Sequence, residues 1–239
     1  MGKGWTFGMM RRSGLSKVPW LGVLAGLLGY FFHATLLSGG SAIPLIAFSV
    51  LMVLLFWLSS VTLEKKAEFA AVFRPMRLDL VLSVLGALAM MAGCALWFRE
   101  GGMLVRLLCV LGIVSALGLL AACVFRLKGN TPSAAFFVPA IFYYVIRLFY
   151  DFRHWMHDPA ILDYCFCLFA LISFMISTYH AAAFSFDRGA RRRLCFYSLC
   201  GVFFGATAMA GQTVSTMLIY GASACSCLVY AIQALGNGK

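Results

Sequence analysis

The sequence predicts an all-α fold, a polytopic bundle of transmembrane helices. Of its 239 residues, 63% are apolar and only 11% are charged, whereas soluble domains are roughly 45–50% apolar and about 25% charged. Several apolar stretches also reach the ~20 residues that a helix needs to cross a hydrocarbon layer ~30 Å thick. The sequence lacks the alternating segments of about ten residues that are typical of a membrane barrel.

Eight such stretches follow one another, and we predict that each spans the membrane once. Their approximate limits are 18–38, 42–63, 78–98, 103–125, 132–154, 159–186, 194–211 and 213–235. Only Gly211, Gln212 and Thr213 separate the last two, so the sequence marks that boundary weakly. Because no linker or soluble module interrupts the spans, we predict a single integral membrane domain over residues 1–239.

Two segments outside the spans carry their own patterns. The first 17 residues, MGKGWTFGMMRRSGLSK, are expected to be a cytoplasmic tail before an uncleaved first helix, because the following apolar run is too long for a signal peptide and lacks a cleavage site. After the second span, LEKKAEFAAVFRPMR places Phe69, Val72 and Phe73 together. This spacing predicts a short interfacial helix that ends near Pro75.

Positive charge sets the predicted orientation. With the N-terminus inside, fifteen of the nineteen Lys and Arg residues fall on the cytoplasmic side, and only Arg99, Arg106, Arg147 and Arg153 lie toward the other side. Cytoplasmic loops of membrane proteins carry this excess. We therefore predict cytoplasmic termini and a multi-pass protein of a bacterial-type plasma (inner) membrane.

The net charge of +11 does not indicate a nucleic-acid partner. The basic residues are scattered over short loops rather than gathered on one folded face, and their ordinary role is to hold topology and to meet anionic headgroups. The expected partners are the lipid bilayer, other membrane subunits and a polar or anionic small molecule.

Small residues within the spans predict helix packing rather than chemistry. Gly22 and Gly26 are four residues apart in the first span, as are Gly201 and Gly205 in the seventh, a spacing that lets backbones approach closely. The nine cysteines, at positions 94, 109, 123, 165, 167, 195, 200, 225 and 227, are interpreted as packing residues. Two residues that are i and i+2 on a helix point ~200° apart, so neither C-x-C pair can chelate a metal alone.

Charge gathers in one stretch, RLFYDFRHWMHDPAILDY, residues 147–164. On a helical projection Tyr143, Tyr144, Arg147, Asp151 and His154 share one side of the fifth span, and Arg147 and Asp151 are spaced to pair. Ionisable residues within a span suggest a functional site. We therefore hypothesise an outward-facing polar pocket at the outer ends of spans five and six, formed by Tyr143, Tyr144, Arg147, Asp151, His154 and Asp163.

A structural interpretation of the same residues stays open. In it Arg147 extends toward the membrane surface, Asp151 neutralises it, and the tyrosines and Trp155 form an aromatic belt at the interface. The two interpretations differ in where the side chains of Arg147 and Tyr143 point. A binding site requires that they face the interior of the bundle, and a belt requires that they face lipid.

The function predicted from these patterns is non-catalytic: a ligand-binding or transport bundle, or a membrane partner subunit. The sequence has no P-loop, no dinucleotide-binding glycine motif and no G-x-S-x-G nucleophile elbow. The alternative is an intramembrane enzyme that acts on a lipid or envelope substrate through His154, His157 and Asp158. No H-E-x-x-H pattern accompanies these residues, so we predict neither a metal site nor a cofactor.

Overall fold

The structure, a computed structural model, describes residues 17–155 and 161–236, which form helices and connecting loops without a strand. The helices of this described chain are α1 (Val18–Leu37), α2 (Ile43–Val61), α3 (Phe69–Val72), α4 (Arg77–Glu100), α5 (Met103–Leu127), α6 (Val138–Trp155), α7 (Ile161–Ala183), α8 (Arg191–Thr207) and α9 (Val214–Gly236). Two 3-10 turns, Ala134–Phe136 and Phe184–Phe186, precede α6 and follow α7.

Within the described residues, seven helices are long and apolar enough to cross a membrane. The prediction of an all-helical, multi-pass membrane fold is therefore confirmed. The remaining long helix is α8, which has only 17 residues and starts with Arg191, Arg192 and Arg193. It occupies Arg191–Thr207, where 194–211 was predicted, and whether it forms an eighth span stays a prediction.

Hydrogen bonds between distant segments define the two ends of the bundle. At one end they join Gln233 to Arg74, Arg191 to Ala234, Arg192 to Leu63 and Ser185 to Pro132. At the other end they join His33 to Thr207 and Cys167 to Ala208 and Gln212. The first end carries most of the basic loop residues and is called the basic end below. Both Val18 and Gly236 belong to it, because consecutive long helices run in opposite directions.

The short helix α8 lies at the centre of one half of the bundle, where it packs against α1, α2, α7 and α9. Glycine permits α1 and α8 to approach closely, since a Cβ on Gly26 would lie only 2.7 Å from the Cβ of Ala206. A turn between α8 and α9 contains Gly211 at φ +72°, a conformation that favours glycine. The last two predicted spans are thus separate helices.

The other half of the bundle encloses a polar interior. Here α4 packs against α5 and α9, α6 packs between α5 and α7, and α7 also contacts α9. These five helices surround the buried side chains of Tyr143, Tyr144, Arg147 and Asp151.

The segment after α2 forms a short helix, α3, which ends before Pro75 as predicted. Val72 and Phe73 are 0% and 5% exposed, and the ring of Phe73 packs edge-on against Phe184 at 5.3 Å between centroids. These two side chains therefore pack against the basic end of the bundle, and the interfacial position of α3 stays a prediction.

Candidate functional site

The helix α6 turns its predicted polar side inward. Tyr143, Tyr144, Arg147 and Asp151 are 0%, 3%, 5% and 5% exposed, because they recur every three or four residues and so share one face of the helix. His154 continues this spacing but is exposed, with its Nδ1 2.8 Å from the backbone oxygen of Tyr150. The sixth residue of the predicted pocket, Asp163, has a side chain outside the described part of the structure.

Arg147 and Asp151 form a buried ion pair. The Nε of Arg147 donates to Oδ2 of Asp151 at 2.8 Å, and the guanidinium carbon lies 3.9 Å from the ring centroid of Trp97 on α4. The aromatic face attracts the cation and shields it from lipid. The structural interpretation requires that Arg147 extend toward the membrane surface. Its side chain instead points into the bundle, where it is 5% exposed.

The depth of Arg147 also argues for a site. It lies eight residues before Trp155, the last residue of α6, which corresponds to about 12 Å along the helix axis. Half of a hydrocarbon layer is only about 15 Å thick. An ionisable residue within a membrane-spanning helix that faces the interior of the bundle is a candidate functional residue.

Two donors beside this pair have no hydrogen-bond partner among the described residues. They are Nη1 of Arg147 and the hydroxyl of Tyr143. A buried polar group without a partner costs about 1–3 kcal/mol, so water or another polar molecule at this point would stabilise the bundle. One turn earlier on α6 than Arg147, the hydroxyl of Tyr144 donates to Oγ of Ser223 on α9 at 3.0 Å.

A second buried arginine lies toward the basic end. Arg126, in the last turn of α5, is 5% exposed, and its guanidinium lies 5.3 Å from the ring centroid of Phe73 and 5.5 Å from that of Tyr230. Its Nε and Nη1 atoms have no hydrogen-bond partner among the described residues. Asp79, which is 2% exposed, interacts with Arg126 electrostatically and accepts a hydrogen bond from Gln233.

A small cavity lies beside Arg126 and reaches Tyr144, and Arg147 is not part of its lining. Its volume is about 20 Å³, and it extends from Tyr144 and Ser223 to Arg126 and Tyr230. Besides Arg126, the polar side chains on its wall are hydroxyls of four helices, those of Ser83, Ser115, Ser223, Ser226, Tyr144 and Tyr230. Small residues, among them Gly86 and Ala222, also line it. This volume is sufficient for about one water molecule.

We call this arrangement the polar file, and its members lie on α4, α5, α6 and α9. They are Arg147, Asp151, Tyr143, Tyr144, Ser223, Ser226, Ser83, Ser115, Arg126 and Tyr230. The file runs from the end of the bundle opposite the basic end toward the basic end itself. Four of its ten members, Tyr143, Tyr144, Arg147 and Asp151, belong to the predicted pocket, and whether they bind a ligand stays a prediction.

The sequence did not predict the members of the polar file on α4, α5 and α9, which lie toward the basic end. Arg126 was assigned to the basic loops that hold topology, whereas its side chain is buried among aromatic rings. A signal for this region exists on α9, where Ser223, Ser226, Tyr230 and Gln233 recur every three or four residues. Such a spacing marks one polar face of a helix.

Of the three residues of the enzyme alternative, only His154 lies within the described residues, so their convergence stays untested. His154 lies at the surface, and His157 and Asp158 lie outside the described residues. Among the described side chains, no three His, Cys, Asp or Glu residues form a group that could hold a metal ion. All nine cysteines are free thiols, and seven of them are buried.

No family model matches the chain, and no curated protein or solved structure is similar to it. The function is therefore argued from the geometry of the polar file and from the membrane-spanning fold.

Proposed function

We propose that the protein is a non-catalytic permease, or solute-binding bundle, of a bacterial-type plasma membrane, and that a small solute rich in acceptor oxygens occupies the polar file. The observation that carries this proposal is that two buried arginines, Arg147 and Arg126, have N–H groups without a partner among the described residues, and that a hydroxyl-lined cavity extends from Arg126 to Tyr144, one helical turn from Arg147. The basic end of the bundle faces the cytoplasm in this proposal, as the distribution of Lys and Arg predicts.

The chemistry of the free atoms determines the class of solute. Near the two arginines the buried atoms without a partner among the described residues are three N–H donors, Nη1 of Arg147 and Nε and Nη1 of Arg126, the hydroxyl of Tyr143, which can donate or accept, and one acceptor, Oδ1 of Asp79. Donors therefore outnumber acceptors, and the partner that we propose mainly accepts hydrogen bonds. Arginine presents a planar set of donors that matches the oxygens of a carboxylate or phosphate. A small carboxylate or an oxyanion is the class that fits.

The described conformation is closed. The cavity beside Arg126 has a volume of about 20 Å³, which is less than any carboxylate needs, and two residues of its wall, Tyr144 and Ser223, are hydrogen-bonded to each other. Passage of a solute therefore requires that α9 move away from α5 and α6. A change between closed and open states of this kind is common to transporters.

The experiment uses purified protein in liposomes. Influx of acetate, formate and phosphate is measured by stopped-flow light scattering, with glycerol as an uncharged comparison. We expect at least one of the anions to enter faster than into protein-free liposomes, and we expect Arg126→Gln to reduce that rate at least tenfold.

A matched control distinguishes the site from a general effect of lost charge. Arg106 is an exposed arginine that lies 5.6 Å from the ring centroid of Phe98, outside the polar file. Arg106→Gln should leave anion influx within twofold of the parent protein. Equal losses in Arg106→Gln and Arg126→Gln, or no anion flux above that of empty liposomes, would overturn the proposal.

A further inference from the structure

A wide apolar groove lies on the face of the bundle away from the polar file. Because α8 is set back between α2 and α7, these three helices leave a groove with a volume of about 510 Å³. We call it the α8 groove. Its floor includes Tyr197, Cys200 and Phe204 of α8, and its sides include Val50 of α2 and Phe169 of α7.

The wall of the α8 groove offers almost nothing polar to an occupant. Ser49, which lies in the wall, already donates its hydroxyl to the backbone oxygen of Leu45 at 2.8 Å. Val50 and Phe169 are 56% and 48% exposed. In a bundle that spans a membrane, such a surface meets hydrocarbon rather than water.

A basic hollow continues the α8 groove toward the basic end. Its lining includes His180, Arg188 and Arg193, with Asp187 as the acidic member. Tyr197 lines the α8 groove and His180 lines the basic hollow. Their rings stack at 6.0 Å between centroids, so the groove and the hollow adjoin. Arg188 and Arg193 are exposed, and the arginines outnumber the single carboxylate.

We propose that the α8 groove and the basic hollow together bind one anionic glycerophospholipid, with its phosphate at Arg188 and Arg193 and one acyl chain along α8. The distance along α8 supports this occupant. From Arg193 to Phe204 there are eleven residues, or about 16 Å of helix, which matches one leaflet of a ~30 Å hydrocarbon layer.

Charge favours a lipid over a transmembrane helix of a partner as the occupant. The α8 groove is apolar, whereas the basic hollow at its end carries the exposed Arg188 and Arg193. Basic side chains at a membrane surface attract anionic headgroups. A glycerophospholipid combines such a headgroup with apolar acyl chains.

The first experiment measures lipid binding to the delipidated full-length protein by native mass spectrometry. Dioleoyl phosphatidylglycerol and dioleoyl phosphatidylcholine are compared because they share acyl chains and differ in net charge. We expect phosphatidylglycerol to bind roughly ten- to thirtyfold more tightly, as two basic side chains near a headgroup predict.

Paired variants test where the preference arises. Arg188→Gln with Arg193→Gln should reduce the preference below threefold. The control is Arg74→Gln with Arg77→Gln, which removes the same charge from exposed arginines at the same end and should leave the preference unchanged. Equal effects of the two double variants, or equal binding of the two lipids by the parent protein, would overturn the proposal.

The second experiment locates the acyl chain without any mutation. Phosphatidylglycerol with a photoreactive diazirine in its acyl chain is bound, irradiated and mapped by peptide mass spectrometry. Labelling should concentrate on residues of the α8 groove such as Phe169 and Phe204. Labelling spread evenly over α1 and α5, or a cross-linked second copy of the chain across the groove, contradicts the proposal. Neither result depends on solute passage through the polar file.

Discussion

Arg147 and Asp151 are one helical turn apart on α6 and form an ion pair inside the bundle, with 2.8 Å between Nε and Oδ2 and only 5% of each residue exposed. The ring of Trp97 covers the guanidinium on one side. Two charges withdrawn from water in this way stabilise the fold only while they remain paired. Substitution of one member of this pair should therefore lower the stability of the fold more than substitution of both.

Asp151→Asn should destabilise the protein in detergent by about 3–5 kcal/mol, because it leaves the buried guanidinium of Arg147 without its counter-charge. Arg147→Gln combined with Asp151→Asn should recover part of that loss, since neither charge is then stranded. Thermal unfolding of the three proteins measures both effects. Strictly additive losses would show that the two side chains do not interact.

The hydrogen bond from Tyr144 to Ser223 joins α6 to α9 in the wall of the cavity. Tyr144→Phe removes the donor and leaves Ser223 its own bond to the backbone oxygen of Ile219 at 2.9 Å. We expect a loss of only about 1 kcal/mol in stability. If this bond closes the polar file, anion influx into liposomes should rise, and unchanged influx would place the barrier elsewhere.

Gln233 holds the loop before α4 against α9. Its side chain accepts from the backbone N–H of Arg74 at 3.0 Å, donates to the backbone oxygen of Arg74 at 2.8 Å and also donates to Asp79. Gln233→Leu strands these groups, and we expect a loss of about 2–4 kcal/mol. Limited proteolysis should then cut near Arg74 faster than in the parent. As a control, Gln212→Leu removes only one long contact, to Cys167, and should leave cleavage at Arg74 unchanged.

Close packing of α4 on α9 depends on Gly93. A Cβ at this position would lie 2.8 Å from the backbone oxygen of Ser215, so one of the two helices must shift. We expect Gly93→Ala to destabilise the protein by about 1–3 kcal/mol. Gly102→Ala is the comparison, because nothing lies within 4 Å of an added Cβ there, and its melting temperature should change little. Similar shifts for both variants would contradict the role assigned to Gly93.

Reporter fusions test the orientation and the status of α8 together. Fusions after residues 40, 101 and 156 should read as extracytoplasmic, and those after 70, 129 and 190 as cytoplasmic. A further fusion after Gln212 should read as extracytoplasmic if α8 crosses the membrane. A cytoplasmic reading at 156 contradicts the eight-span topology, and a cytoplasmic reading at 212 removes α8 from the spans.

Much of the local structure follows from the sequence alone. The apolar runs predict the long helices because a bilayer demands about 20 apolar residues for each crossing. Their inward faces follow from the helical period of 3.6 residues, which is why Ala140, Tyr143 and Arg147 on α6 and Cys167 and Ala170 on α7 are all buried. The pair of Arg147 and Asp151 was likewise foreseeable, since residues i and i+4 are neighbours on any helix.

What the tertiary structure alone decided is which helices are neighbours. The sequence predicts Arg126 only as a basic residue at a helix end. In the structure it is buried in the polar file because Phe73 and Tyr230, from distant segments of the chain, pack against it. The position of α8 between α2 and α7 opens the α8 groove. The residues of α8 alone do not predict this position. Helix period and hydrophobicity act within one segment of the chain, whereas packing between helices depends on close side-chain fit across the bundle, and no single segment contains that information.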